Sequence, residues 1–234
     1  MSFLKIAVKA VAIFQYVAIG TSLKLLRGGT IIAFDQNTEQ LQIIRNGSLL
    51  IEGDKITSIS STPWPNNITH GFEVIECTNK IITPGFIDTH RHGWQTVFKT
   101  MGSNTTLSDY FGRYSASVAK PLFTPEDIYI SQLTGIYEAL AAGVTTILDH
   151  AHHTWTPEHS AAGLNASVES GARIFFAYAF QNSSAEFGIP EQISQWRQLA
   201  STISNNLTEL VIAYDDFTGN PAGSATLAVL DLIL

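Results

Sequence analysis

The sequence predicts an α/β fold: a partial (β/α)8 barrel, about the first four strands of one, preceded by a small β-sandwich-like segment. Three observations carry that expectation. From Leu25 to Val74, short stretches of β character are separated by turn residues. Beyond Lys80 the pattern changes to apolar strands alternating with helical stretches, which is the signature of a parallel sheet. The polar clusters His90 with His92, Asp149 with His150, and Asp215 with Asp216 each fall just past the C-terminal end of a predicted strand, where barrel active sites are built. Such clusters favour a barrel over an open, doubly wound sheet. No G-x-G-x-x-G follows a strand, so dinucleotide binding is unsupported.

The elements follow in order. Strands are expected over Gly29 to Phe34, Gln42 to Ile51, Lys55 to Ser60 and Phe72 to Ile75, divided by Asp35-Gln36-Asn37, Glu52-Gly53-Asp54 and Pro63-Trp64-Pro65. Ile81 to Asp88 is an apolar run interrupted by Pro84-Gly85, and it opens the second region. A helix over Leu107 to Val118 comes next. Another opens at Thr124, with Pro125 at its first position and Asp127 three residues past the cap, and runs to Ala142. Gly143 stops it, and the β-branched run Val144 to Leu148 reads as a strand buried on both faces. Further units are a helix from Pro157 to Gly171, a strand from Ile174 to Phe180, a helix from Pro190 to Asn205 and a strand from Leu210 to Tyr214. The resulting division is a leader-like extension over 1–24, a β-sandwich segment over 25–80 and a truncated barrel over 81–234.

Composition sets limits. A chain of 234 residues, 45% of them hydrophobic, can bury a substantial core. Its net charge of -7, from 13 basic and 20 acidic side chains, argues against a nucleic-acid surface. Cys77 is the single cysteine, so no disulfide forms within the chain and a cytoplasmic location fits. The alternative is secretion: Lys5 and Lys9 precede an apolar run from Ala10 to Gly20, broken only by Gln15, that resembles a leader. That run falls short of the about 20 apolar residues a membrane span needs. Sequons at Asn46, Asn67, Asn104, Asn165, Asn182 and Asn206 are consistent with secretion, but an Asn- and Ser-rich chain also produces them by chance.

Chemistry is concentrated in Asp88-Thr89-His90-Arg91-His92. On an extended chain the two histidines point to the same side, so two imidazoles can reach one ion. Catalytic zinc sites use about three protein ligands and lower the pKa of bound water toward about 7. His150, His152 and His153 form a second cluster, read either as lining the pocket mouth or as another metal pair. Trp94 and Gln95 could stack on and hydrogen-bond a planar ring, or be a core tryptophan beside a solvated glutamine. Asp88 could orient an imidazole or sit in the barrel wall. Glu138, His70 and His159 read as surface groups, and Asp215 and Asp216 could face the pocket.

The stretch Thr83-Pro84-Gly85-Phe86-Ile87-Asp88-Thr89-His90-Arg91-His92 resembles the first-strand signature of the amidohydrolase superfamily. The resemblance continues through Gly93-Trp94-Gln95-Thr96, Leu107-Ser108-Asp109-Tyr110 and Glu138-Ala139-Leu140-Ala141-Ala142-Gly143-Val144-Thr145-Thr146, which are similar to the branch of heterocycle aminohydrolases and chlorohydrolases. It covers roughly Leu25 to Asp216. That family flanks a (β/α)8 barrel with a composite β-sandwich and binds a divalent metal, here expected to be zinc with iron as the alternative. The resemblance implies that His90 and His92 are metal ligands and that His150 and His152 contact a small-molecule substrate, which Trp94 and Gln95 beside the pair could also contact. Family members add a histidine after the fifth strand, an aspartate after the eighth, an acidic proton shuttle and another late histidine. None of these is found in this sequence, so no acid-base catalyst is assigned. The stretch after Lys80 is shorter than the about 250 residues of a whole barrel, and it looks cut.

The expected activity is hydrolysis of a carbon-nitrogen bond other than a peptide, namely deamination of a nitrogen heterocycle by metal-bound hydroxide. Alternatives are another bond on the same fold, such as a cyclic amide, halide or phosphoester, or an incomplete fragment that only binds or self-associates, for instance as a homodimer.

Overall fold

Two regions with different periodicity become two separate sheets. The structure, a computed structural model, describes residues 23–62, 64, 71–182, 185–203, 206–216 and 223–232. The leader-like stretch up to residue 22, His70, Asn67 and the two prolines of the Pro63-Trp64-Pro65 turn lie outside the described residues. The chain divides into two units between Pro84 and Gly85.

The first unit holds β1 (Leu23–Asp35), β2 (Gln40–Glu52), β3 (Lys55–Ser60), β4 (Phe72–Glu76) and the two-residue β5 (Ile81–Ile82). Strand β2 pairs antiparallel with both β3 and β1, while β4 and β5 both pair parallel with β1. The β1–β2 turn is set by Asp35, whose Oδ1 accepts from the Asn37 N–H at 2.8 Å. Leu25, Ile31 and Leu49 are buried on the sheet, while Leu41, Ile43 and Ile56 are exposed.

The second unit begins with β6 (Phe86–Arg91) and a 3₁₀ turn over Gly93–Phe98. Then follow α1 (Leu107–Arg113), α2 (Ala116–Ala119), α3 (Pro125–Ala141), β7 (Val144–Ala151), α4 (Pro157–Glu169), β8 (Arg173–Phe180), α5 (Ile189–Thr202), β9 (Thr208–Tyr214) and α6 (Ser224–Leu230). The four strands lie in the order β6-β7-β8-β9, all parallel. Helix α3 starts where its sequence dictates: Thr124 and Asp127 form a reciprocal capping box, and Pro125 occupies the first turn. Gly143, with φ +87°, turns the chain into β7, a conformation other residues adopt only with strain. Ile136 and Ala139 of α3, Ile147 of β7, Leu164 of α4, Phe176 and Tyr178 of β8 and Ile193 of α5 build one core. Each large side chain fully buried there contributes about 1.5–3 kcal/mol. Among the described residues no helix is long and apolar enough to cross a membrane.

Three expectations change. Ile81 to Asp88 is not one strand: Pro84 supplies no N–H, so Ile81 and Ile82 join the first sheet and pairing resumes only at Phe86 in the second. The helix expected from Leu107 to Val118 is two, because α1 closes at Tyr114 and α2 starts afresh from Ser115. His159 is buried, not on the surface. Its Nε2 donates to the Phe123 carbonyl at 3.0 Å and its Nδ1 lies 2.9 Å from Thr156 Oγ1, so it ties the start of α4 to the loop before α3.

Candidate metal centre

Strand β6 ends irregularly. Asp88 lies opposite Ile147 and Arg91 opposite Asp149, so β6 carries one residue more than β7 across that step, a bulge at Thr89-His90. His92 follows just outside the strand with φ -114° and ψ 82°. The imidazoles of His90 and His92 nevertheless meet, with ring centres 4.9 Å apart and planes nearly perpendicular.

His92 has a defined tautomer. Its Nδ1 lies 2.9 Å from the carbonyl oxygen of His150, which can only accept, so Nδ1 carries the proton and Nε2 keeps its lone pair. Burial holds this imidazole below the usual histidine value, only partly opposed by the His150 carbonyl. The His150 ring sits 5.3 Å from His90 and 5.2 Å from His92, and its Nε2 is 2.9 Å from Asp215 Oδ2. The His152 ring centre lies 4.2 Å from that of His92, with the planes tilted by 58°, and burial pushes its pKa down to about 3, so the ring is neutral. Four predicted site histidines thus converge at the C-terminal ends of β6 and β7. Beside them, His152, Phe180, Gln181, Asp215 and Asp216 line a cavity of about 330 Å³.

The donor set suits a borderline metal such as zinc, which takes neutral imidazole nitrogens, and His92 Nε2 is presented in the required state. Among the described residues no group of three or more His, Cys, Asp or Glu side chains is arranged to hold an ion. The arrangement therefore fits a pair of ligands that further donors would complete.

Two expected substrate contacts are placed elsewhere. Trp94 is 0% exposed and packs edge-on against Phe123, Trp155 and His152, in a core with Ile128 and Ala119. Fully buried, it offers no face to a ligand ring and instead packs against His152, ring centres 5.4 Å apart. Gln95 uses both ends of its amide, donating to the Tyr114 carbonyl at 3.0 Å and accepting from the Tyr110 hydroxyl at 2.9 Å. It lines a cleft of about 410 Å³ with Arg91, Tyr110 and Tyr114, and none of the four histidines. Among the described residues Asp88 meets no imidazole: its Oδ1 accepts from the His90 main-chain N–H at 3.4 Å and its Oδ2 faces Arg91 Nη1 at 3.5 Å. Glu138 pairs with Lys99 on the surface.

The sequence reading missed the support beneath the pair. Asp149 is 1% exposed, with Oδ1 accepting from the Gly93 N–H at 2.7 Å and Oδ2 from Gln132 Nε2 at 2.6 Å. Burial pushes its pKa up to about 6 despite those two donors and nearby Arg91. Asp149 was visible as a polar strand exit. Gln132, in mid-helix, carried no signal.

Comparison with known proteins gives concordant results. The Amidohydrolase family model matches residues 81–229. The chain is 34% identical over 130 residues to 5-methylthioadenosine/S-adenosylhomocysteine deaminase of Caldicellulosiruptor saccharolyticus, covering 55% of this chain and 29% of that protein. It thus spans less than a third of that relative's length. Guanine deaminase from C. acetobutylicum, solved with guanine in its active site, superposes with a TM-score of 0.68 at 18% identity, over 82% of this chain and 46% of that one. A variant of atrazine chlorohydrolase from Arthrobacter aurescens, solved with zinc and atraton, gives 0.65 at 17% identity over the same shares. The likeness to these two structures establishes the shared α/β fold.

Proposed function

The chain belongs to the amidohydrolase family, and on that premise we propose that it carries the first metal ligands of an enzyme that hydrolyses an amino group from a nitrogen heterocycle. The observation that carries the reading is the His92 tautomer: the His150 carbonyl holds Nδ1–H and leaves Nε2 free beside His90. His90 and His92 would hold zinc, with iron as the alternative. When bound, such an ion makes water a usable nucleophile near neutral pH. Zinc accompanies the similar fold of atrazine chlorohydrolase, and deamination is what the similar curated relatives are named for.

The residues of this chain supply position. His150, paired with Asp215, and the neutral His152 form the wall against which an amino-substituted ring would lie, donating and accepting hydrogen bonds without a charge on His152. Buried Trp94 keeps His152 in place. The order β6-β7-β8-β9, with helices following β7 and β8, is read as the first half of a (β/α)8 barrel, which puts all of these residues at the face where barrel enzymes work.

The test is elemental analysis of the purified chain after exposure to zinc. Near one equivalent is expected in the wild type, none in the His90→Ala, His92→Ala double variant, and no change in Lys55→Ala, whose side chain is 77% exposed at the start of β3 in the first sheet. Equal zinc in the double variant and the wild type would overturn the assignment. Ammonia release from a panel of aminopurines and aminotriazines then tests the bond cleaved. A second reading is favoured by β6, which among the described residues pairs on one side only and exposes Phe86 and Ile87: the chain alone self-associates and does not turn over substrate. Size-exclusion chromatography of the same sample separates the two.

A further inference from the structure

The bulge in β6 raises the question of what holds His92 where it is. Regular pairing with β7 lapses between Asp88 and Arg91, and His92 lies beyond the strand, so the sheet ladder itself leaves the last ligand unanchored. The neighbouring strand makes up for this with two consecutive residues. The His150 carbonyl takes the His92 ring, and the Asp149 carboxylate takes the main chain one residue further on, at Gly93 N–H.

That carboxylate is itself fixed. Gln132 of α3 is 0% exposed and donates from Nε2 to Asp149 Oδ2, at 2.6 Å, and also to Ser167 Oγ of α4, at 3.2 Å. The fit around the Gly93 turn leaves no slack. A Cβ on Gly93 would lie 2.5 Å from Gln132 Oε1, and one on Gly135 would lie 2.6 Å from the Gly93 carbonyl. Arg91, at the end of β6, donates from Nη2 to the Gly135 carbonyl of the same helix at 2.9 Å. The turn after the ligand pair is therefore clamped between α3 and β7, and Asp149 is the group that binds it from the β7 side.

We propose that Asp149 is a positioning residue for the metal centre: by accepting the Gly93 N–H it fixes the His92-Gly93 main chain, so that the His92 ring stays on the His150 carbonyl and presents Nε2. The inference rests on the reading of His92 as a ligand, but its structural half can be measured without metal. A buried carboxylate suits the task better than a neutral group because it accepts from both donors at once, at the short distances of charge-assisted bonds.

The experiment uses the full chain, labelled with ¹⁵N, as wild type, Asp149→Ala and Asp149→Asn. Three quantities are read: exchange of the Gly93 amide, the His92 tautomer from ring nitrogen shifts, and zinc affinity by competition with a chelator. In the wild type the Gly93 amide is expected to be protected and His92 to be in the Nδ1–H form. In Asp149→Ala both should be lost and zinc affinity should fall about 10- to 100-fold, the usual effect of removing a partner that orients a metal-binding histidine. Asparagine retains an acceptor for Gly93, so Asp149→Asn should recover the tautomer and most of the affinity, which a purely structural loss of charge would not allow.

An Asp149→Ala protein with unchanged His92 tautomer and zinc affinity would overturn the proposal. So would an unprotected Gly93 amide in the wild type, which decides the matter even if Asp149→Ala does not fold. A wild type that takes no zinc, but whose His92 tautomer still depends on Asp149, would instead refute the metal reading and leave the positioning role standing.

Discussion

Replacing Gly135 by alanine should weaken this protein, although the same change in an ordinary helix strengthens it. Gly135 lies in the middle of α3, where alanine is intrinsically better by about 1 kcal/mol. Against that gain stands the carbonyl of Gly93, only 2.6 Å from where the new methyl would go, whereas ordinary contact begins at 3.4 Å. Roughly 0.8 Å must be found from backbone, and overpacking of this kind costs about 1–3 kcal/mol. Moving α3 away also lengthens the bond from Arg91 to the Gly135 carbonyl, a charge-assisted contact whose loss costs a further ~1.5–3 kcal/mol if complete. The net expectation is a destabilisation of about 1–3 kcal/mol. Gly112→Ala in α1 is the matched comparison, because nothing lies within 4 Å of its Cβ position, and it should gain up to about 1 kcal/mol. Urea denaturation followed by circular dichroism would show the two midpoints moving in opposite directions at constant slope. A Gly135→Ala midpoint that rises with that of Gly112→Ala would refute the claim that α3 and the Gly93 turn are in rigid contact.

Other perturbations follow from the same geometry. His153 is fully buried with neither ring nitrogen bonded among the described residues, and burial lowers its pKa from 6.5 to about 3. The unfolded chain takes up that proton near pH 6.5 and the folded chain does not, so the stability involved is complete above pH 6.5 and lost as pH falls toward 3. The loss is on the order of 5 kcal/mol at most, and His153→Leu should flatten the acid limb of a stability-versus-pH curve; an unchanged limb would argue that another group dominates acid unfolding. Thr124→Ala removes the side-chain half of the α3 capping box and should cost about 1 kcal/mol, read as a lower urea midpoint. Trp94→Ala should cost about 3–5 kcal/mol and loosen His152, visible as faster exchange of amides in the 3₁₀ turn.

Much of this molecule was legible from pattern alone. The β-branched run at Val144, the Thr124–Asp127 cap and Gly143 each act locally, so their consequences appear at the predicted places. That the His90 and His92 rings meet was legible too, although the structure brings them together across a bulge and with His92 beyond the strand, not by regular alternation. What was not legible depends on partners distant in sequence. Trp94 read equally as a ligand platform and as a core residue, because its surroundings come from Phe123, Ile128 and Trp155, which no local period announces. Gln132 gave no hint of its bond to Asp149, since a polar residue in mid-helix reads as solvated until the packing of α3 on β7 is known. The bulge at Thr89-His90 was equally hidden, because register is a property of two strands and not of one.

The carbonyl that orients His92 has a consequence for how this centre can drift over evolutionary time. An orienting side chain can be deleted by a single codon change, but the oxygen at position 150 belongs to the main chain and is present whatever residue is encoded there. Of the two groups of β7 that hold the His92-Gly93 stretch, the acceptor at position 150 therefore survives any substitution there, whereas the carboxylate of Asp149 does not survive one at its own position. Two consecutive residues of one strand thus share the anchorage, one through its backbone and the other through its side chain.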